Sequence, residues 1–137
     1  MTDLQKSTPT EGAVVELDTA QFNARIAGHP LAIVDFWAPW CAPCRGFAPT
    51  FAAAAQRHPD VLFAKVNTED EQSLAAHFGI RSIPTLMIFR DDIVVYAESG
   101  ALPASALEQV IGAAKALDMD DVRRELAAQD AGAAGAG

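Results

Sequence analysis

The sequence contains two cysteines, three positions apart in Cys41-Ala42-Pro43-Cys44. A bond between residues this close removes little entropy from the unfolded chain, so it would be a poor structural staple. Redox chemistry explains the pair better. The thiolate is the reactive form of cysteine, and it is favoured where a helix begins, because unpaired amides and the macrodipole stabilise negative charge there. Each unit by which such a site lowers a thiol pKa corresponds to about 1.4 kcal/mol. With Cys41 at a helix N-terminus, Cys44 lies one turn further in, more buried and less acidic. That asymmetry suits a two-step exchange in which Cys41 attacks a substrate disulfide and Cys44 resolves the mixed disulfide. Pro43 is tolerated early in a helix, where its missing amide hydrogen would be unpaired anyway.

The rival use of a cysteine pair is metal binding. One Cys-x-x-Cys offers two thiolates where structural zinc takes four ligands. His29, His58 and His77 are remote from the pair in sequence and read as loop or helix-surface histidines. No metal site is expected.

Asp35 precedes Cys41 by six positions inside the run Leu31-Ala32-Ile33-Val34-Asp35-Phe36-Trp37. A charge in so apolar a segment is costly, so Asp35 calls for a raised pKa, a partner, or both. One reading is a carboxyl that is merely hydrogen-bonded or on a wet edge; the other is a proton acceptor for Cys44, acting through water. Lys65 interrupts a second apolar segment and is the obvious charge partner, although its ammonium could equally snorkel to solvent. Phe36 and Trp37 point to opposite faces of a strand, whereas Trp40, next to the nucleophile, is the better candidate for a substrate-facing ring. Ile83-Pro84 precedes a strand, where proline must take the first position or an edge. A cis bond there would expose bare backbone to a peptide, and the residues alone leave the isomer open.

These side chains need a scaffold. Val14 to Leu17 reads as a short strand, followed by a helix capped by Asp18 or Thr19, with Phe22 and Ile26 on one face and Gly28-His29-Pro30 closing it. The near-continuous apolar run at Leu31–Trp37 suits a central strand buried on both faces. Cys41 to Arg57 reads as a helix, Val61 to Val66 as a strand, and Thr68 as the cap of a helix that carries Leu74 and Phe78 and ends at Gly79. Thr85–Phe89 and Ile93–Tyr96 flank Arg90-Asp91-Asp92 as a hairpin. Pro103 opens a helix in which Leu107, Val110, Ile111 and Ala114 share a face. Beyond Asp118, a charged segment either extends that helix or starts another, and the Ala/Gly tail from Asp130 to Gly137 reads as mobile. The expected organisation is a disordered segment over 1–12, one domain over 13–117, and an extension over 118–137 that is partly helical and then disordered. Alternating strands and helices followed by a hairpin give an α/β fold: a central mixed sheet flanked by helices on both faces. The cysteines then fall beyond the carboxyl end of a buried strand, where active sites of such sheets lie.

Composition narrows the function. The 137 residues carry a net charge of -8, which repels nucleic-acid phosphates rather than neutralising them. No apolar run is long enough to span a bilayer, and the polar start lacks a secretory h-region, so a cytoplasmic location is expected.

The residues also resemble a known family. Val34-Asp35-Phe36-Trp37-Ala38-Pro39-Trp40-Cys41-Ala42-Pro43-Cys44-Arg45, then Phe47-Ala48-Pro49, then Phe78-Gly79-Ile80-Arg81-Ser82-Ile83-Pro84-Thr85 are similar to the thioredoxin family in order and spacing. Within it, Phe-Ala-Pro after the cysteines, Val66-Asn67-Thr68-Glu69 and Arg81-Ser82-Ile83-Pro84 resemble the bacterial thioredoxin-2 branch most. The resemblance covers roughly Val14 to Leu117. It implies the thioredoxin fold and a monomeric cytosolic protein-disulfide reductase with no bound cofactor. Its partners would be disulfide-containing target proteins and a thioredoxin reductase, a separate flavoprotein that draws electrons from NADPH. It further implies that Cys41 is the nucleophile, Cys44 the resolving thiol, Asp35 the buried proton acceptor and Lys65 its neighbour. Pro84 resembles the cis-proline beside the active site. Trp40, Ile83, Gly100 and Ala101 resemble the peptide-docking surface, with Ala42 and Pro43 on the same rim, and Pro49 resembles the proline that kinks the active-site helix.

Four departures stand out. Ala42 replaces the usual Gly, which stiffens the loop and bears on the redox potential. Asp91-Asp92 replaces a Gly-containing hairpin turn, implying a longer or strained turn. The zinc-binding segment of the thioredoxin-2 branch is missing, since no cysteine precedes Cys41. The extension after Leu117 has no recognised counterpart. Two other functional classes use such a scaffold: a disulfide oxidant or isomerase, and a non-catalytic module acting as a chaperone-like scaffold or bridging a metal cluster between two copies. The constellation Cys41, Cys44, Asp35 and Pro84 serves turnover and favours the reductase.

Overall fold

A computed structural model describes residues 12–136, with side chains through Asp130; the expected N-terminal disordered segment lies almost wholly outside the described residues. The elements run β1 (Val14–Glu16), α1 (Thr19–Ala27), β2 (Leu31–Trp37), α2 (Ala42–Arg57), β3 (Leu62–Asn67), α3 (Gln72–His77), β4 (Thr85–Arg90), β5 (Ile93–Ser99), α4 (Ala104–Ala116) and α5 (Met119–Ala136). The strands form one five-stranded sheet in the order β1-β3-β2-β4-β5. β1, β3 and β2 are parallel, while β4 runs antiparallel to β2 and β5 antiparallel to β4. The mixed sheet expected from the alternation of elements is therefore present.

Strand alternation sends successive side chains to opposite faces. Ile33, Phe63 and Ile88 face α2 and α4, where Phe47, Phe51, Leu107 and Ile111 meet them. Val34, Ala64 and Met87 face the other way, toward Phe22 and Ile26 of α1 and Leu74 of α3. Fully burying each large side chain contributes roughly 1.5–3 kcal/mol, and both faces of β2 share in it. α1 starts where Asp18 accepts the Gln21 amide at 2.8 Å. The far end of α2 is tied to α4 by Glu108, which accepts from Arg57 at 2.7 Å and pairs with His58 at 2.8 Å. These ties leave the start of α2 as the end that faces the loop after β2.

Three local details depart from the sequence pattern. Thr68 does not cap a helix: its hydroxyl and its amide both donate to the Trp37 carbonyl, at 3.0 and 2.8 Å, joining the ends of β3 and β2. α3 begins later, after Glu71, whose carboxylate is taken up by the Thr19 amide and hydroxyl at 2.9 Å each. β5 continues to Ser99 because its polar end still pairs with β4, Ser99 opposite Thr85. α5 is a separate helix, since Leu117 leaves α4 in an extended conformation. Its amides at Asp120 and Asp121 are capped by the Asp118 carboxylate, at 3.0 and 3.3 Å. Arg90 closes the end of α4 by donating to the Ala114 carbonyl at 2.6 Å.

The hairpin turn is short rather than long. Asp91 and Asp92 both take positive φ, 51° and 68°, as a two-residue turn of this hand demands. Asp91 is compensated: its amide donates to Pro30 at 2.9 Å and its carboxylate pairs with Arg123 of α5 at 3.2 Å. Asp92 carries the same unfavourable backbone without a comparable contact among the described residues. Replacing Asp92 by Gly should therefore stabilise the protein by about 1 kcal/mol, the order of the left-handed penalty for a side chain. A urea unfolding curve whose midpoint does not rise in Asp92→Gly would refute this account of the turn.

Candidate active site

β2 ends at Trp37, the chain turns through Ala38-Pro39-Trp40, and α2 begins at Ala42 with Cys41 as its N-cap. The Cys44 amide donates to the Cys41 sulfur at 3.2 Å. One of the amides that a helix start leaves unpaired is thus aimed at the first cysteine, and Pro43 in the first turn has no amide to waste. The two cysteines form a disulfide, with their Cα atoms 5.2 Å apart. Pro49 sits inside α2, where its missing amide removes one rung from the helix ladder.

The expected contrast in exposure between the cysteines is small. Cys41 is 4% exposed and Cys44 2%, because Ala38, Trp37 and Ile83 pack around both. Trp40, by contrast, is 65% exposed directly beside Cys41. The Cys41 sulfur lies 3.7 Å from the Ile83 carbonyl oxygen, and the Ile83-Pro84 bond is cis. The Gly100 amide donates to the Pro84 carbonyl at 2.8 Å, bringing Gly100 and the exposed Ala101 to the same rim. Ala42 and Pro43 are exposed on the first turn of α2. Of the residues singled out in sequence as a docking surface, Ile83 thus lies against the Cys41 sulfur, Trp40, Ala42 and Pro43 flank Cys41 in the chain, and Gly100 is tied to Pro84.

Beneath the disulfide, Asp35 and Cys44 line one recess of about 200 Å³, together with Trp37, Arg45, Ala48 and Lys65. This space admits water, each molecule of which takes ~30 Å³ in the liquid. Asp35 is 3% exposed, and its Oδ1 has no hydrogen-bond partner among the described residues. Burial pushes its carboxyl up to about 7, and the Lys65 ammonium opposes the rise. The depth of burial counts against the wet-edge reading, and the unpartnered Oδ1 against the hydrogen-bonded one. Lys65 is its direct neighbour in register. The Lys65 ammonium nevertheless points elsewhere, 4.5 Å from the centroid of the Trp37 ring.

Two residues of this region escape sequence reading. Trp37 divides from Phe36 as alternation requires, with Phe36 in the core and Trp37 half-buried over the recess. Its indole Nε1 donates to Glu16 of β1 at 3.2 Å. Nothing in the sequence brings Glu16 to the site until the β1–β3 register is known. Arg45, the residue after Cys44, donates to the Pro39 carbonyl at 2.9 Å and so braces the loop before Cys41. Among the described residues, no group of three His, Cys, Asp or Glu side chains is placed to hold a metal ion, and no helix is long and apolar enough to cross a membrane.

Known proteins share this fold. The family model described as Thioredoxin matches residues 13–113. A protein named as a thioredoxin 2 of Streptomyces coelicolor is 48% identical over 119 residues, covering 87% of this chain and 89% of that one. Thioredoxin f from spinach chloroplast, in its long form, superposes with a TM-score of 0.73 at 30% identity, over 82% of this chain and 94% of its own. A chain in the complex of ferredoxin:thioredoxin reductase with thioredoxin f2 superposes with a TM-score of 0.72 at 32% identity, over 78% and 99%.

The buried carboxyl has a consequence for stability. Its folded pKa lies above its unfolded value, so folding binds a proton more tightly and stability falls as pH rises from about 4 through 7. Above that range the ionised form is a constant penalty, on the order of 4 kcal/mol from a shift of this size. Asp35→Asn should therefore be more stable than the parent at pH 8 and nearly equal to it at pH 4, in urea unfolding of the oxidised protein. Equal stability of the two at pH 8 would contradict the burial account.

Proposed function

The chain belongs to the thioredoxin family of thiol-disulfide oxidoreductases, and we propose that within its reaction Cys41 attacks, Cys44 resolves and Asp35 takes the proton. The observation that carries this assignment is the Cys44 amide directed at the Cys41 sulfur at the first turn of α2. In the reduced protein the same amide and the helix dipole would stabilise a Cys41 thiolate. The thiolate attacks one sulfur of a target disulfide, forming a mixed disulfide and releasing the target's other sulfur as a thiolate. Cys44 then loses its proton to the Asp35 carboxylate through the recess they share, and its thiolate attacks the Cys41 sulfur. The Cys41–Cys44 bond forms, the mixed disulfide breaks, and the target leaves with two electrons gained.

An acceptor near 7 is well matched to this task, since it is part ionised where the protein works and basic enough to take a thiol proton. Lys65 acts as the counter-charge that limits how far burial raises Asp35. Trp40, Ile83, Pro84, Gly100 and Ala101, with Ala42 and Pro43, form the surface on which an extended target segment would lie, supported by the place of Ile83 against the Cys41 sulfur and the tie of Gly100 to Pro84. The domain that does this spans 13–117, with 118–137 as an appended extension. No resident cofactor is part of this reading. Electrons are proposed to come from NADPH through a flavoprotein thioredoxin reductase; a structural relative is seen with a thioredoxin reductase of the ferredoxin-dependent kind. We place the protein in the cytosol as a monomer, because a dithiol kept reduced needs a reducing compartment.

The decisive assay is reduction of insulin disulfides by dithiothreitol-charged protein. Parent protein should precipitate insulin, and Cys41→Ser should fall to the rate of dithiothreitol alone; equal activity would end the reductase reading. In the reduced parent, iodoacetamide should alkylate Cys41 well before Cys44, and the reverse order would exchange their roles. Asp35→Asn should slow resolution of a preformed mixed disulfide at pH 7 by on the order of tenfold to a hundredfold, read by tryptophan fluorescence in a single turnover.

A further inference from the structure

Glu16 stands two residues after Val14 on β1, so strand alternation puts it on the face that carries Asp35. The register extends this into a row: Glu16 opposes Lys65, and Lys65 opposes Asp35. Lys65 therefore has a carboxylate on each neighbouring strand, and simple electrostatics would pair it with one of them. The ammonium instead sits over the Trp37 ring, 4.5 Å from its centroid. Trp37 follows Asp35 by two positions on β2, and its Nε1 donates to Glu16 Oε2 at 3.2 Å. The indole thus reaches from β2 across β3 to β1 and passes beside the lysine on the way.

We propose that Glu16 is a positioning residue for thiol exchange: by anchoring the Trp37 indole it keeps the Lys65 ammonium seated on the ring and away from the Asp35 carboxyl. This rests on Asp35 being the acceptor of the Cys44 proton. A lysine paired directly with Asp35 would hold the carboxylate ionised and make it a weaker base. Seated on an aromatic face, the same lysine finds a partner for its charge without that contact. Burial then remains the dominant influence on Asp35, and Lys65 the lesser one.

The other charges near Asp35 do not substitute for this device. From α2, Arg45 lines the recess but directs its Nη1 to Pro39 at 2.9 Å, and Cys44 is held in the disulfide. From β4, the residue opposite Asp35 is Leu86, which carries no charge. Glu16 is a like charge on the same face, but burial and Lys65 are what set the Asp35 titration, so Glu16 acts through its hold on Trp37. Losing it should bring the Asp35 titration down by that route.

The test is a direct titration of the Asp35 carboxyl by carbon-13 NMR in the full-length oxidised protein. Glu16→Ala should lower the midpoint by about one unit, the scale of a carboxylate gaining a nearby cation. Glu16→Gln, which can still accept from the indole but has no charge, should give less than half that shift. Trp37→Phe, which keeps an aromatic face but loses the donor, should also lower it. In a Lys65→Met background, Glu16→Ala should lose most of its effect. An unmoved midpoint in Glu16→Ala, or an equally large shift without Lys65, would overturn the proposal. The lower limb of the pH profile for mixed-disulfide resolution should move down with the midpoint in Glu16→Ala. Unchanged resolution in Asp35→Asn would instead sink the acceptor reading, and the NMR midpoint separates that outcome from failure of the Glu16 mechanism.

Discussion

A helix must begin somewhere, and its first amides lack partners within the helix. In this protein that deficit becomes the working part of the molecule. The Cys44 amide, which would otherwise need water or a capping oxygen, is directed at the Cys41 sulfur. For that to hold, α2 has to start at a fixed point above the end of β2. The core residues Phe47 and Phe51 press α2 onto the sheet, Glu108 secures its far end, and Arg45 braces the loop that leads into it. The sheet and its helices are thus a device for fixing one helix N-terminus relative to one strand end.

The same placement explains why a carboxyl is tolerated in the middle of the sheet. β2 is buried on both faces, and Asp35 lines the recess beneath α2 together with Cys44, Ala48 and Phe51. A leucine there would close the recess and relieve the desolvation cost. The protein instead keeps a buried carboxyl whose Oδ1 has no protein partner among the described residues. In the proposed exchange this is the position where a proton moves between a thiol and the protein, so the stability given up here fits the pattern expected where function overrides local consistency.

Much of this was legible from residue types and spacing. The apolar run with one acidic interruption located β2 and flagged Asp35, and the cysteine spacing with Pro43 located the start of α2. Register was not legible. Lys65 was recognisable as a charge facing Asp35, but its seat on Trp37 depends on three strands being brought side by side, and Glu16 enters only through that pairing. Thr68 misled for a related reason. A threonine ahead of an amphipathic segment has the signature of a cap, but the nearby carbonyl of Trp37 competed for its hydroxyl and won. The near-equal burial of Cys41 and Cys44 was hidden because it depends on Ile83, whose loop reaches the site from a distant part of the chain.

Parallel strands are what let three charges from separate segments form one row. In β1, β3 and β2 the chain directions coincide, so Glu16, Lys65 and Asp35 fall at the same height near the carboxyl ends, where the helix that follows β2 begins. An antiparallel neighbour supplies residues at that height from its own beginning, and β4 accordingly brings Leu86 and, just before it, the Pro84 rim. The sheet therefore divides the labour by strand direction. Under the roles proposed above, its parallel side would tune the proton acceptor beneath the disulfide, and its antiparallel side would supply the backbone that frames the disulfide from above. On that proposal a substitution on the parallel side is felt as a change in the pH at which exchange runs, and one on the antiparallel side as a change in which targets dock.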